Sequence, residues 1–300
     1  MNNAFFDSTM TSPTKTLVIY HADCLDGLAA AWSAFCHWGA HARYIPARFG
    51  EPIPHFNEGD TLYIVDFCYP PEQLLAAANK AAAVFVIDHH LIAMEQCNTF
   101  FNHQTCPENL SCCFDMTQSG CVLVWRRFFP NKAVPKILQH IEDRDLWRFQ
   151  FEDTKAITTA LYEQMPLSFE AFGALDLNVL RADGQIQVAQ FSRMVQRIAK
   201  SAYPIRLSGH NGLAVNAPSF FASELGHFLA EQSQTFGMTY HYDGKKKRWL
   251  FALRSVGDFD VGHIALHFGG GGHIHSAGFS LAHNPFLSSQ SGLRKKTKRC

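Results

Sequence analysis

The 300-residue sequence lacks net charge: 26 Lys plus Arg offset 26 Asp plus Glu, and charged residues are only 17% of the chain. A protein that grips long duplex nucleic acid through many phosphates needs a broad cationic face. That balance argues against such a partner, but not against a small anion held in a local pocket. Paired cysteine motifs are also missing. Nine cysteines are scattered, Cys112 and Cys113 are adjacent, and no CxxC set exists, which removes a zinc-ribbon reading. No hydrophobic run is long enough to span a bilayer. The opening MNNAFFDSTMTSPTK has no basic stretch followed by an apolar one. These absences predict a cytoplasmic chain with reduced thiols and no membrane partner. No internal repeat is visible.

What is present is an ordinary globular composition, 47% hydrophobic, with a high count of 16 histidines. Three hundred residues exceed what one core usually serves, so two domains are expected. In the first half, apolar runs alternate with helix-like stretches. TLVIYHA (16–22), TLYIVDF (61–67) and AVFVIDHH (83–90) read as buried strands. GLAAAWSAFCHWG (27–39), EQLLAAANKAA after a Pro-Pro turn, SGCVLVWRRFF (119–129) and KAVPKILQHIEDRDLW (132–147) read as helices. Continuous aliphatic runs separated by helices predict an α/β fold with a parallel sheet covered on both faces.

Residues 176–202 carry helical periodicity and predict a connecting helix, with Gly184 as the candidate position for a break. Beyond it lie a short strand (GLAVNA), a helix in SFFASELGHFLAEQ and a hairpin turning at Asp243-Gly244. A helix over 261–268, a glycine run and a strand over 277–281 complete the pattern. The expected organisation is a first domain over 1–175, a helical linker over 176–204 and a smaller α/β domain over 205–285. A basic, solvated tail over 286–300 follows.

Ligands of open parallel sheets bind beyond the carboxyl ends of the strands. Three of the first-domain strands end in metal-capable residues: His21, Asp23, Cys24 and Asp26 in YHADCLDG, Asp66 in IVDF, and Asp88, His89 and His90 in VIDHH. HIEDRDLW adds Asp143 and Asp145. One aspartate at a strand end is commonly a helix cap or turn former; several on one sheet edge need another reason. Carboxylates converging in a cleft repel one another unless cations neutralise them. Carboxylate plus imidazole ligation suits Mn²⁺, with Zn²⁺, Co²⁺ or Fe²⁺ as alternatives. A carboxylate shared by two metals serves in-line phosphoryl displacement, and Asp66, central among the strands, is the candidate for that bridge.

The four segments HADCLDG, IVDF, VIDHH and EDRD, in that order, resemble the motifs of the DHH phosphoesterase family. The resemblance implies that His21, Asp26, Asp66, His89 and one of Asp143 or Asp145 ligate two Mn²⁺ ions per chain, for which Co²⁺, Zn²⁺ or Mg²⁺ are substitutes. It implies that His90 faces the scissile phosphate and that Asp88 holds the histidines. Where many members carry an Asp-x-Asp pair, the earlier position falls here on Cys24. Either Asp23 replaces that ligand, Cys24 ligates as a thiolate, or the first metal site is weaker.

HFGGGGHIHSAGF (267–279) is the second signal, because consecutive glycines let backbone N–H groups approach an anion. It resembles the GGGH motif of the DHH-associated C-terminal domain, which implies substrate binding by Gly270, Gly271, Gly272 and His273. Arg254 at the hairpin's end is the natural basic partner for a phosphate. The active site is expected in the cleft between the two domains.

The implied activity is hydrolysis of phosphoester bonds in a short single-stranded oligonucleotide or small phosphorylated nucleotide, of exonuclease or phosphatase type. The alternatives are a small-molecule phosphatase (for a nucleoside bisphosphate, cyclic dinucleotide or polyphosphate) and a catalytically silent nucleotide-binding protein. Oligomeric state is open, a dimer included. Thr117 or Ser119 is expected to cap the helix that follows. Trp32, Trp38, Trp125 and Trp147 are expected to pack in the core or between domains.

Overall fold

The computed structural model describes residues 16–103 and 105–286. The expectations for the first 15 residues and for the basic tail from 287 onward lie outside them. Two compact units meet between Val188 and Ala189.

In the first unit, β1 (Thr16–His21), β2 (Ala42–Ala47), β3 (Thr61–Val65), β4 (Ala83–Asp88) and β5 (Leu110–Phe114) form one parallel sheet in the order β2-β1-β3-β4-β5. The helices between and after them are α1 (Leu25–Trp38), α2 (Pro71–Ala78), α3 (Leu91–Phe101), α4 (Gly120–Phe128), α5 (Lys136–Asp145), α6 (Thr154–Glu163) and α7 (Phe169–Gly173). Alternate strand residues feed two cores. Leu17, Ile19, Leu62, Ile64, Val84 and Val86 pack with Leu74 and Ala77 of α2. Val18, Val65 and Ile87 pack with Leu28 and Ala29 of α1, Val124 of α4 and Leu138 of α5. A strand buried on both faces has no polar alternation, which is why these three read as continuous apolar runs. Trp32 and Trp125 stack at 6.0 Å in this second core.

In this unit two strands were not expected, β2 and β5. Both are sheet edges and only partly buried, and β2 contains Pro46, which an edge strand tolerates. The central strands also stop short of the segments expected from the sequence: β3 ends at Val65 and β4 at Asp88. Asp66, His89 and His90 therefore sit on the connections rather than on the strands. Strand order reverses direction between β1 and β3, the switch point where open α/β sheets place their ligands.

α8 (Leu177–Ala199) is one unbroken helix across the unit boundary. Gly184 does not interrupt it. A Cβ there would stand 1.9 Å from the Ala156 carbonyl oxygen, so the glycine permits close approach of α8 to α6.

The second unit is a mixed six-stranded sheet. It comprises β6 (Tyr203–Leu207), β7 (His210–Asn216), β8 (Phe236–Asp243), β9 (Arg248–Ser255), β10 (Gly271–His273) and β11 (Ser276–Leu281), in the order β10-β11-β9-β8-β7-β6. Its helices are α9 (Ala222–Ser233) and α10 (Val261–His267). Val261 and Ile264 of α10 pack with Met238, Phe251, Leu253 and Phe279, while Leu225 and Leu229 of α9 pack with Val215. The hairpin does not turn on Asp243-Gly244 alone. Four residues connect β8 to β9, with Lys247 at φ +52° and the Asp243 carboxylate accepting the N–H groups of Lys245 and Lys246. Among the described residues, no helix is long and apolar enough to cross a membrane.

Candidate metal centre

The chain leaves β1 at His21 and re-enters a helix at Leu25, so the segment between them is a tight turn, with Asp23 at φ +56°. The helix begins hard against the strand: a Cβ on Gly27 would stand 2.2 Å from the His21 carbonyl oxygen. Only glycine allows that approach, and it brings Asp26, one residue earlier, back over the sheet edge. Asp26 is 1% exposed. Its carboxylate accepts the N–H of Gly120 at 2.6 Å and of Cys121 at 3.0 Å, and so caps α4 from a distance. Neither Thr117 nor Ser119 takes that role: the Ser119 side chain makes no cap bond, and Thr117 Oγ1 donates to Asp115.

Asp66 follows β3 in the left-handed region, φ +62°, an uncommon conformation for a residue with a side chain that tends to mark functional positions. Its N–H donates to the Ile87 carbonyl at 3.0 Å. Its two carboxylate oxygens are buried without a hydrogen-bond partner. Each faces a different imidazole, Oδ2 lying 3.4 Å from His21 Nδ1 and Oδ1 lying 3.2 Å from His89 Nε2.

Asp88, at the end of β4, is fully buried. One oxygen accepts the His89 N–H at 2.8 Å and lies 2.7 Å from His90 Nδ1, orienting the ring; the other has no hydrogen-bond partner. His89 Nε2 reaches Asp26 at 3.8 Å and Asp145 at 3.5 Å as well as Asp66.

Three donor groups result, each with ligand atoms within 4.8 Å of one another: His21, Cys24 and Asp66; Asp66, Asp88, His89 and His90; and Asp26, His89 and Asp145. Asp66 and His89 each belong to two of them. Asp145, not Asp143, stands with His89. The Asp143 carboxylate accepts the N–H groups of Gln150 and Phe151 and the hydroxyl of Thr154, closing the turn after α5. Asp23 is exposed and ion-paired to Arg48 at 2.7 Å, while Cys24 joins His21 and Asp66.

The electrostatics are those of a site that a cation could neutralise. Burial, then the charges of Asp66 and Asp145, push Asp26 well above the usual carboxylate range. Burial also raises Asp145, to about 6, despite the nearby His89. Asp66 is buried too, yet the imidazoles of His21 and His89 hold it below the ordinary value. Desolvation opposes a charged His89, but the close approach of the Asp66 carboxylate and the charges of Asp145 and Asp26 push it up to about 10. Without metal, then, protons shared among Asp26, Asp66, Asp145 and His89 do the neutralising that a divalent cation would do. Burial and the same carboxylates raise the Cys24 thiol well above its usual value, so a thiolate there needs a cation as partner. Oxygen-rich donors with imidazole, orphaned buried carboxylate oxygens and excess negative charge fit a divalent metal centre.

Two residues of the site escaped the sequence. A Cβ on Gly120 would lie 2.6 Å from Asp66 Oδ1 and 3.0 Å from Asp26 Oδ2, so α4 can begin beside these carboxylates only with glycine. Phe49 stands beside His21 and His90. No local motif distinguishes either; their meaning comes from residues distant in the chain.

In the second unit, Gly271, Gly272 and His273 form β10 instead of an open loop. A Cβ on Gly270 would stand 2.1 Å from the Gly278 carbonyl oxygen. Gly272, at φ +143°, would meet Ala277 at 2.4 Å, so the pairing of β10 with β11 itself demands these glycines. His273 is exposed. Arg254 is partly buried, its guanidinium donating to Ser223 Oγ and the Leu253 carbonyl, both at 2.9 Å.

No family model matches the chain. A protein of Acanthamoeba polyphaga mimivirus, R106, itself uncharacterised, is 28% identical over 293 residues, covering 89% of this chain and 67% of its own length. Among solved structures, a pGpG-specific phosphodiesterase, PggH of Vibrio cholerae, aligns over 93% of this chain and 97% of its own. The identity is 13% and the TM-score 0.44.

Proposed function

We propose that the chain is a metal-dependent phosphoesterase of the DHH type, hydrolysing phosphoester bonds of short oligonucleotides or small nucleotides. The observation that carries this reading is the convergence of Asp26, Asp66, Asp88, His21, His89 and Asp145 at the sheet's switch point, with both Asp66 oxygens orphaned and directed at two different imidazoles. His21, Cys24 and Asp66 would hold one cation. Asp26, Asp66, His89 and Asp145 would hold the second, Asp66 serving both. Mn²⁺ suits the carboxylate–imidazole donors of the second site, whereas a Cys24 thiolate in the first suits Zn²⁺ or Fe²⁺ better. Bound there, such cations neutralise the carboxylates, polarise a phosphoryl oxygen and lower the pKa of water.

The chain's own residues have separate tasks. Asp88 fixes the His90 ring through Nδ1, so that Nε2 is the ring atom assigned to the phosphoryl oxygen. Burial opposes a charge on His90, but the Asp88 carboxylate more than offsets it and holds its pKa above the ordinary value. In its protonated form His90 is suited to donate to an anion. Asp26, while capping α4, keeps one wall of the site rigid. In the second unit, Arg254, Gly270, Gly271, Gly272 and His273 are the candidates for binding a phosphate or terminal nucleotide.

Metal-stripped protein reconstituted with Mn²⁺ should cleave a labelled trinucleotide to mononucleotides or release phosphate from 3′-phosphoadenosine 5′-phosphate. The product identifies the substrate class. Failure on both, with a generic phosphodiester also intact, sinks the reading.

A further inference from the structure

Phe49 is 58% exposed, and single exposed hydrophobic side chains are ordinary. Its surroundings are not. The ring meets His21 at 5.1 Å, Phe67 at 5.9 Å and His90 at 6.1 Å between centroids, nearly perpendicular to each. It thus touches a residue of one donor group and the histidine assigned to the phosphate, while much of its surface stays open to solvent.

The loop carrying it is pinned. Arg48 Nε donates to Asp23 Oδ2 at 2.8 Å, with a second guanidinium nitrogen 2.7 Å from the same oxygen. The Arg48 N–H donates to Glu51 at 3.0 Å, and the Ala22 N–H donates to the Ala47 carbonyl at 2.9 Å. Gly50, at φ +84°, turns the chain immediately afterwards. These bonds tie the loop after β2 to the loop after β1 and limit where the ring can go. They also give Asp23 a task other than metal ligation.

We propose that Phe49 is a stacking platform for the nucleobase next to the scissile phosphate. The substrate class is thereby narrowed to nucleotides, to the exclusion of polyphosphate and sugar phosphates. This rests on the phosphoesterase reading above. A nucleobase offers a flat π-face that an anchored phenyl ring accepts without reading its edge. Such a platform raises affinity for any base and sets little preference among them.

The test compares a dinucleotide with the same molecule lacking the base beside the scissile phosphate. The wild-type chain should show a KM ratio between the two of roughly 5- to 100-fold, the range set by stacking one base on an aromatic side chain. Phe49→Ala should collapse that ratio towards one with a much smaller effect on kcat. Phe49→Trp should restore it and Phe49→Leu should not. A ratio kept in Phe49→Ala overturns the proposal while leaving the phosphoesterase reading intact. A second measurement needs no turnover. A non-hydrolysable dinucleotide phosphorothioate carrying 2-aminopurine should lose fluorescence on binding wild-type protein and keep it on Phe49→Ala at matched saturation. Equal quenching by the two proteins, or none by the wild type, refutes the platform even if no substrate is turned over.

Discussion

Replacing Gly120 by alanine adds one methyl group to a helix start and touches none of the donor residues chemically. By propensity alone, alanine should stabilise the helix, by at most about 1 kcal/mol. The surroundings reverse that expectation. The new Cβ would lie 2.6 Å from Asp66 Oδ1, 2.7 Å from Asp66 Cβ and 3.0 Å from Asp26 Oδ2. Restoring an ordinary 3.4 Å contact to Oδ1 requires a relative shift of about 0.8 Å. Asp66 is fixed by its backbone bond to Ile87, so either its carboxylate rotates away from His21 and His89 or α4 retreats and stretches the bonds to Asp26. Overpacking of this kind costs about 1–3 kcal/mol. A misplacement near 1 Å in a reacting centre costs about 10²-fold in rate. Gly120→Ala should therefore remain folded by circular dichroism, melt lower, bind less Mn²⁺ by calorimetry and lose at least about 100-fold in kcat. Wild-type metal stoichiometry together with wild-type kcat would refute the reasoning, because it would mean that the Asp66 carboxylate position is immaterial.

Asp66→Asn removes the negative charge shared by two donor groups, so bound Mn²⁺ measured by elemental analysis should fall by at least one ion per chain, with loss of turnover. Asp145→Asn and Asp143→Asn should separate cleanly. The first weakens metal binding with little change in melting, whereas the second turns one accepting oxygen into an NH₂ facing the donors of Gln150, Phe151 and Thr154, costs about 1–3 kcal/mol in thermal or urea denaturation and leaves metal affinity nearly intact. Mn²⁺ at one hundred times its dissociation constant should stabilise the folded chain by about 2.7 kcal/mol, raising the melting temperature of the first unit by roughly 5–10 °C, and chelation should reverse it. Gly184→Ala should lower thermal stability without altering metal binding, since its Cβ would collide with the Ala156 carbonyl.

The central strands, the helices between them and the acidic and histidine residues at the strand ends were legible in the chain, because burial on both sheet faces leaves an uninterrupted apolar run that stops where those polar residues begin. The edge strands β2 and β5 were not. Half-exposed strands carry no such run, and Pro46 lies within one of them. The glycines of the second unit invited a loop reading because a flexible anion cradle and a tight strand pairing use the same residue; only the neighbours of Gly270 and Gly272 favour the pairing.

By itself the sequence determined the α/β alternation and which residue types stand at the strand ends, since both follow from local pattern and local chemistry. Which of those residues meet was decided only by tertiary structure. Asp143 and Asp145 are two positions apart and chemically alike, yet one closes a turn while the other reaches His89. Asp23 and Cys24 are adjacent, yet one pairs with Arg48 and the other with His21 and Asp66. Gly120 and Phe49 gain their significance from Asp66, Asp26, His21 and His90, residues 28 to 94 positions away. A one-residue rotation on a helix or turn redirects a side chain completely, and the packing that fixes the rotation lies elsewhere in the chain.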